Sequence, residues 1–515
     1  MEIVQNRAVK LKLKNPNRIL TLIPKSKRLN KHEVLVHWGL EETRVLRNMG
    51  IKVPSPITRN YNWPGLYPPY DHQKKSAEFL TLNPRAFNFS EQGTGKTFAA
   101  IWAADYLMTQ GVIDRVLIMC PLSIMDSAWK ADLFKIALHR KVQIVHGARN
   151  KRQQILAQDS DFDIINFDGV QIVLEELQKN NYDLIIMDEA TYVKNPNTDR
   201  WSAIDDLVTP ETWVWMMTGT PAAQSPLDAF GLAKMMNRES VPRSLHRFKD
   251  EVMYKVTQFK WVAKPNATER VHQILQPAIR FTKDECLDLP PMVYARRDIP
   301  LTAQQRKYYK VLRNDAIMNA AGEQVTAANA AVLINKLLQL STGAVYSDNG
   351  ETLEFDIKAR YKALKEVIDE TEQKVLVFAP FKHCIDMIVA RLRKDKITCD
   401  VIRGDVSAGK RTERFKKFQQ DPDPRVLVIQ PQSAAHGVTL TAADTVVWWG
   451  PTSSLEIYAQ ANARVHRSGQ HHPCTVVQLV GSHVERHIYD MLDKRIDAHS
   501  KIIELHDNVL DYNAL

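Results

Sequence analysis

The chain has 515 residues, of which 44% are hydrophobic and 25% charged, the balance of an ordinary water-soluble globular protein with two or three domains. No apolar run approaches the length of a membrane span and no N-terminal signal peptide is visible, which argues against a membrane or secreted class. The five cysteines are scattered without a C-x-x-C pair, so a zinc site or disulfide framework is not expected, and a reducing cytoplasm or a nucleus is.

The formal charge of +10 is concentrated at the start. Residues 1–31 hold nine Lys or Arg against the single acid Glu2, whereas the remaining 484 residues are almost balanced. Val9–Lys14 alternates strictly, Asn15-Pro16-Asn17 signals a turn, and Arg18–Ile23 has strand-like composition. This predicts a hairpin with Val9, Leu11 and Leu13 inward and Lys10, Lys12 and Lys14 outward. Such a face suits nucleic-acid phosphates, and a solvated edge using lysine against aggregation is the alternative. Residues 32–65, with Trp38 and Trp63, read as part of a small accessory region.

The stretch Ser90–Thr97 follows a short apolar strand, Ala86–Phe89, and opens an Ala-rich helix. Gly93 and Gly95 allow backbone N–H groups, that of Thr94 among them, to turn toward an anion at the helix N-terminus. Lys96 then reaches β- and γ-phosphates and the Thr97 hydroxyl holds Mg²⁺, the parts of a G-x-x-x-x-G-K-[ST] loop for ATP. Ser90 stands where that pattern begins with Gly. Further strands are predicted at Val116–Met119, Val142–Val145 and Asp163–Asn166. Asp183–Asp188 reads as a strand buried on both faces, with Asp188 and Glu189 at its C-terminal end, where parallel sheets place ligands. Asp188 would hold the metal and Glu189 would orient or deprotonate water.

From about Lys374 the alternation resumes, with strands at Val375–Phe378, Val426–Ile429 and Val446–Trp449 and a charged helix over Lys410–Gln420. No G-K-[ST] occurs there. Gln460–Gln470 places Arg464 and Arg467 one helical turn apart, as candidate cations for the transferring phosphoryl group. Ser482–Leu505 reads as a packing helix with Val484, Ile488, Met491, Leu492 and Ile496 on one face.

Taken in order, these motifs resemble the Swi/Snf-type DNA-translocating ATPases of helicase superfamily two, over roughly residues 66–505. His72-Gln73 resembles the adenine-reading motif, Leu117–Ser123 with Trp129 beyond it a strand leading to a DNA-contact loop, and Ile164–Asp168 a further DNA-side motif. Asp188–Asn195 resembles the acidic motif with its Lys-Asn tail. Met217–Pro221 is similar to the motif coupling hydrolysis to motion, and Ser433–Thr441 with Gln460–Gln470 to the last two motifs. The resemblance implies an α/β fold of two RecA-like lobes on parallel sheets. Its expected parts are a basic region (1–65), an ATP-binding lobe (66–221), a helical insertion (222–350), a second lobe (351–481) and a C-terminal packing helix (482–515). It implies Gln73 at the base, Thr218, Gly219, Thr220 and Gln460 in coupling, and Pro121, Ser123, Gly437 and Thr439 on double-stranded DNA. Thr191 stands where the family commonly has His, and His436 where it often has Gly. The activity implied is ATP-driven translocation on duplex DNA; a strand-separating helicase acting on DNA or RNA and a nucleotide-gated clamp without turnover are the alternatives.

Overall fold

The computed structural model describes residues 1–494 other than Thr220, 223–224, 257–260, 287–288, 321–326, 347–351, 435–437 and Ser468. The chain divides into two compact units, one of residues 1–222 with 226–287, the other from 288 onward.

The first unit begins with a four-stranded sheet of β1 (Glu2–Val4), β2 (Ala8–Lys12), β3 (Lys27–Arg28) and β4 (Glu33–His37), ordered β1-β2-β4-β3. Val9 and Leu11 are buried and Leu13 packs on the same small core, as the alternation predicts. The expected hairpin partner is corrected. Residues Asn17–Leu22 form a helix, and β2 pairs with β1 and β4 instead. Pro16 supplies a helix-compatible φ of −78° at the start, and the i, i+4 pair Ile19 and Ile23 goes inward, a period that a strand reading cannot use. Trp38 is buried and donates its indole N–H to the Pro54 carbonyl at 2.8 Å, while Trp63 packs edge-on against Trp102. Residues 32–65 therefore tie the small sheet to the larger one.

That larger sheet contains β5 (Arg85–Asn88), β6 (Val116–Cys120), β7 (Val142–Val145), β8 (Phe162–Asn166), β9 (Leu184–Asp188) and β10 (Trp213–Met217). A short hairpin, β11 (Met253–Lys255) and β12 (Trp261–Ala263), follows, and β13 (Ala278–Ile279) returns to the sheet edge. The strands are all parallel, ordered β13-β5-β10-β9-β6-β8-β7. β6, β9 and β10 are buried at every position, which is what their unbroken apolar runs require between two helical layers. The Ala-rich helix Lys96–Thr109 is buried from Ala99 to Met108, because small side chains let it lie close to the sheet.

The second unit repeats the plan. β14 (Met292–Asp298) precedes the hairpin β15 (Ala344–Tyr346) and β16 (Thr352–Glu354), then β17 (Lys374–Phe378), β18 (Cys399–Ile402), β19 (Val426–Ile429), β20 (Ala443–Trp448) and β21 (Cys474–Val480). The parallel order is β14-β21-β20-β17-β19-β18. The α/β class with two parallel sheets agrees with the expectation. The stretch 222–350 does not form one helical insertion: β13 completes the first sheet, β14 the second, and the helices Ala303–Ala320 and Ala327–Thr342 belong to the second unit. Both linking strands are short or half-exposed, so their residues lack a buried-strand signature. The C-terminal helix is described over His483–Asp493, capped by Ser482 and Glu485, with Val484, Ile488, Met491 and Leu492 buried; Ile496 lies outside the described residues.

Candidate active site

The turn from β5 into its helix collects the predicted phosphate-binding residues. Gly93 and Gly95 take φ of 86° and 79°, the left-handed region that suits glycine. At Gly95 a Cβ would lie 2.1 Å from the Gln73 amide nitrogen, so a side chain there would displace the Gln73 amide. Ser90 replaces the expected first Gly for a reason visible in the structure: its hydroxyl accepts the Phe281 N–H at 3.1 Å, while Glu91 N–H donates to the Phe281 carbonyl at 2.9 Å. The segment after β13 is thereby stitched to the loop. Lys96 Nζ donates to the Ser90 carbonyl at 2.8 Å and the Glu91 carbonyl at 3.3 Å, which aims its ammonium across the loop, and Thr97 follows on the first helical turn.

Behind the loop, His72 Nε2 donates to the Thr94 carbonyl at 2.7 Å and Gln73 Nε2 to the same oxygen at 3.4 Å. Gln73 Oε1 accepts the Tyr70 N–H at 2.9 Å, so both ends of this buried amide are engaged by protein. Beside it lies a half-open pocket of about 610 Å³ lined by Tyr70, His72, Lys75, Arg280, Phe281 and Glu285.

Asp188, at the end of β9, is 9% exposed. Burial raises its carboxyl above the usual range, opposed by the charge of Lys96, the Trp129 indole N–H at 2.9 Å and the Glu189 N–H at 3.1 Å. Trp129, expected with the DNA-contact loop, instead turns its indole to the acid; that contact is not legible in the sequence, because Trp129 comes from a separate helical turn beyond β6 and no spacing rule links it to Asp188. Burial and the Asp188 charge push the neighbouring Cys120 thiol well up, so Cys120 is an inert core residue. Glu189 adopts φ 58° and ψ 57°, a strained left-handed conformation of a kind that clusters at functional sites. Thr218 and Gly219 follow β10, and Thr218 N–H donates to the Asn88 carbonyl at 3.2 Å, joining this segment to the strand that feeds the loop. Thr220 lies outside the described residues.

In the second unit, the helix Leu455–Asn462 ends before the two arginines, which corrects the expectation that they share a helical face. Beyond the helix the chain is held by tertiary bonds: Gln470 Nε2 donates to the carbonyls of Val465 and Ala443 at 3.0 and 2.9 Å, and His466 Nε2 to that of Pro290 at 2.8 Å. Arg464 is only 3% exposed and donates to the Val438 carbonyl at 3.2 Å. Arg467 is more accessible and donates to the Ala463 carbonyl at 3.0 Å. Gln460 is buried and donates to Glu456 Oε1 at 3.1 Å.

Comparison with known proteins adds the decisive observation. Residues 72–343, more than half the chain, match the SNF2-related domain, and residues 359–469 match the helicase conserved C-terminal domain. The chain belongs to the SNF2-related family.

Similar proteins in this SNF2-related group include an uncharacterized ATP-dependent helicase of Mycoplasma genitalium, 24% identical over 76% of this chain and 37% of its own length. Mouse chromodomain-helicase-DNA-binding protein 6 is 25% identical over 80% of this chain and 16% of its length. Human DNA annealing helicase and endonuclease ZRANB3 is 24% identical over 78% and 36%. The chain thus spans well under half the length of each of these three. The Sulfolobus solfataricus SWI2/SNF2 ATPase core, solved in complex with dsDNA, is 21% identical, with 87% of this chain and 97% of that one covered at a TM-score of 0.42. Of the SNF2-like residues expected on nucleic acid, Pro121 and Ser123 follow β6 with Ser123 exposed, Thr439 is exposed, and Gly437 lies outside the described residues. The Lys-Asn tail is held by an ion pair between Lys194 and Asp228 at 3.3 Å. Gly231 permits the close approach, because a Cβ there would meet the Lys194 carbonyl oxygen at 2.3 Å. Among the described residues no helix is long and apolar enough to cross a membrane.

Proposed function

We propose that the chain is an ATP-driven motor that translocates on double-stranded DNA and remodels DNA or nucleoprotein contacts. The observation that carries this reading is the convergence, at the C-terminal edge of the first sheet, of the 90–95 loop, Lys96, Thr97, Asp188 and Glu189. Loop N–H groups and Lys96 bind the triphosphate, and the rings of Tyr70, His72 and Phe281 enclose the base. Gln73, engaged at both ends, then acts chiefly by holding the loop in shape.

The donor set fits magnesium. Asp188 and Thr97 offer one carboxylate and one hydroxyl, and among the described residues no group of three His, Cys, Asp or Glu could hold an ion without the phosphates, which is how Mg²⁺ is usually bound with nucleotides. When present, the ion neutralises charge on the triphosphate. Glu189 orients the attacking water and accepts its proton as the γ-phosphoryl group is transferred. The backbone strain at Glu189 fixes where its carboxylate starts. Arg464 and Arg467 of the second unit are the candidate cations for the transition state, and Thr218, Gly219, Thr220 and Gln460 are the candidates for coupling turnover to movement. Ser123, Gly437 and Thr439 are the candidates to meet phosphates and so read no sequence, whereas Pro121 is buried, has no N–H to donate and serves only to shape the turn after β6.

Triplex displacement run beside strand displacement tests the motor. ATP-dependent release of the third strand with the underlying duplex intact is expected; unwinding of a duplex without triplex release contradicts duplex translocation.

A further inference from the structure

The positive charge of the N-terminal region is not where the alternation of β2 suggests. Lys10, on that strand, forms an ion pair with Glu33 at 3.3 Å, and Glu33 also accepts from Asn30 at 2.6 Å. Glu2 stands opposite Lys10 in register, so the strand face is nearly neutral. The connection from β2 to β4 is different. Residues 12–32 contain seven Lys or Arg and no Asp or Glu, and all seven are exposed.

This connection is an ordered surface. Pro16, Ile19 and Ile23 are buried beneath it, and Leu13 N–H donates to the His32 carbonyl at 2.8 Å, which brings Lys12 and Lys14 beside Lys31. Arg28 donates to the Asn17 side chain, which brings β3 beside Arg18. The two ends of the connection therefore form one continuous cationic patch. Edge protection explains little of it. β3 is an edge strand, and guarding it accounts for Lys27 and Arg28, but Lys14, Arg18, Lys25 and Lys31 sit outside any strand. Lys12 faces Glu33 in register, but the other six like charges lie close together and repel one another, a cost that an apposed polyanion removes.

We propose that the connection over residues 12–32 is a second nucleic-acid contact, which lies against the phosphodiester backbone of duplex DNA and acts without nucleotide. The occupant is chosen by charge: a dense, regular row of phosphates matches seven exposed cations without calling for any specific hydrogen bond. A lipid surface matches less well. The six-residue helix turns Ile19 inward, and only Leu22 and Leu29 present substantial apolar area. This surface goes beyond the motor reading and does not depend on turnover.

The test compares the full-length chain with its Lys14→Gln/Arg18→Gln/Lys25→Gln variant, none of which touches the nucleotide site. Binding of a mixed-sequence duplex is followed by anisotropy without nucleotide from 50 to 300 mM KCl. The log–log salt slope should flatten by about 0.9 for each phosphate no longer neutralised, with affinity near 0.15 M falling roughly fivefold per phosphate, equally for unrelated sequences. Basal ATPase without DNA and the thermal midpoint should be unchanged, and Lys14→Arg/Arg18→Lys/Lys25→Arg should bind as the parent does. Unaltered affinity overturns the proposal, as does weakened affinity with an unaltered slope. Loss of binding to phosphatidylglycerol–phosphatidylcholine vesicles with duplex binding intact overturns it in favour of a membrane surface.

Discussion

The two parallel sheets share one strand order, β5-β10-β9-β6-β8-β7 matching β14-β21-β20-β17-β19-β18, and they differ most where the first of these strands turns into its helix. After β5, residues 89–95 intervene before the helix Lys96–Thr109; after β14, only residues 299–302 precede the helix Ala303–Ala320. The longer turn carries two left-handed glycines and can wrap an anion. The shorter one, Ile299-Pro300-Leu301-Thr302, has no glycine; Ile299 and Leu301 are buried, and Gln305 N–H donates to the Thr302 hydroxyl at 3.2 Å. The same architecture thus gives a nucleotide site in one unit and a packed, apolar helix start in the other. A few loop residues, set on nearly interchangeable sheets, decide the chemistry.

If that contrast is right, the largest effects belong to the first unit. Glu189→Gln keeps shape and hydrogen bonding but removes the base, so turnover on saturating duplex should fall on the order of 10²–10⁴-fold while ATP still binds. Lys96→Ala should abolish turnover and weaken nucleotide binding as well. Fluorescent-nucleotide titration beside a phosphate assay separates the two.

Arg467→Ala should lower turnover about a thousandfold with DNA affinity little changed, since its charge is used mainly in the transition state. Arg464→Ala should lower turnover and also thermal stability, because Arg464 is buried against the Val438 carbonyl. Near-normal rates in both would remove the second unit from the chemistry.

The second unit also holds a buried ion pair, Arg360 with Glu485 at 2.8 Å, where Glu485 further accepts the N–H groups of Gly481 and Ser482 at 2.6 and 2.9 Å. Removing one partner leaves an uncompensated charge, so Arg360→Ala should cost about 3–5 kcal/mol. Hydrogen exchange should show the loss in β17–β21 and leave β5–β10 protected.

The smallest effect tests the packing of the second unit at the start of the helix Lys382–Lys394. Burial lowers the His383 pKa from 6.5 to about 4. A lowered folded-state value means stability present above pH 6.5 and lost as pH falls toward 4, amounting to about 2 kcal/mol by pH 5. Denaturation curves of His383→Phe should lose that part of the pH dependence, and an identical slope in variant and parent would show that His383 is not the group titrating.

The sequence is most readable where a strand is buried on both faces. Val142–Val145 and Val426–Ile429 are strands over those very residues, and β6, β9 and β17 differ from the expectation by one residue. Ser90–Thr97 and Asp188-Glu189 are legible because phosphate and metal chemistry demands those residue types at that spacing. Legibility fails where tertiary contacts decide. Asn17–Leu22 is helical because Ile19 and Ile23 share one pocket, and Arg464 is buried because it turns inward to the Val438 carbonyl, a partner distant in the chain. The two-residue β13 and the half-exposed β14 carry no periodic signal, so the division between the units could not be drawn from residues 222–350. Neither Trp129 on Asp188 nor Phe281 on Ser90 follows from local pattern, as each pairing joins segments far apart in the chain.

The central claim is that the site at the edge of the first sheet hydrolyses ATP in response to duplex DNA. Phosphate release measured with and without a blunt duplex, in Mg²⁺, tests it most directly. Turnover that rises at least tenfold with duplex and disappears in Lys96→Ala is the predicted result; turnover indifferent to duplex, or preserved in Lys96→Ala, would contradict the account.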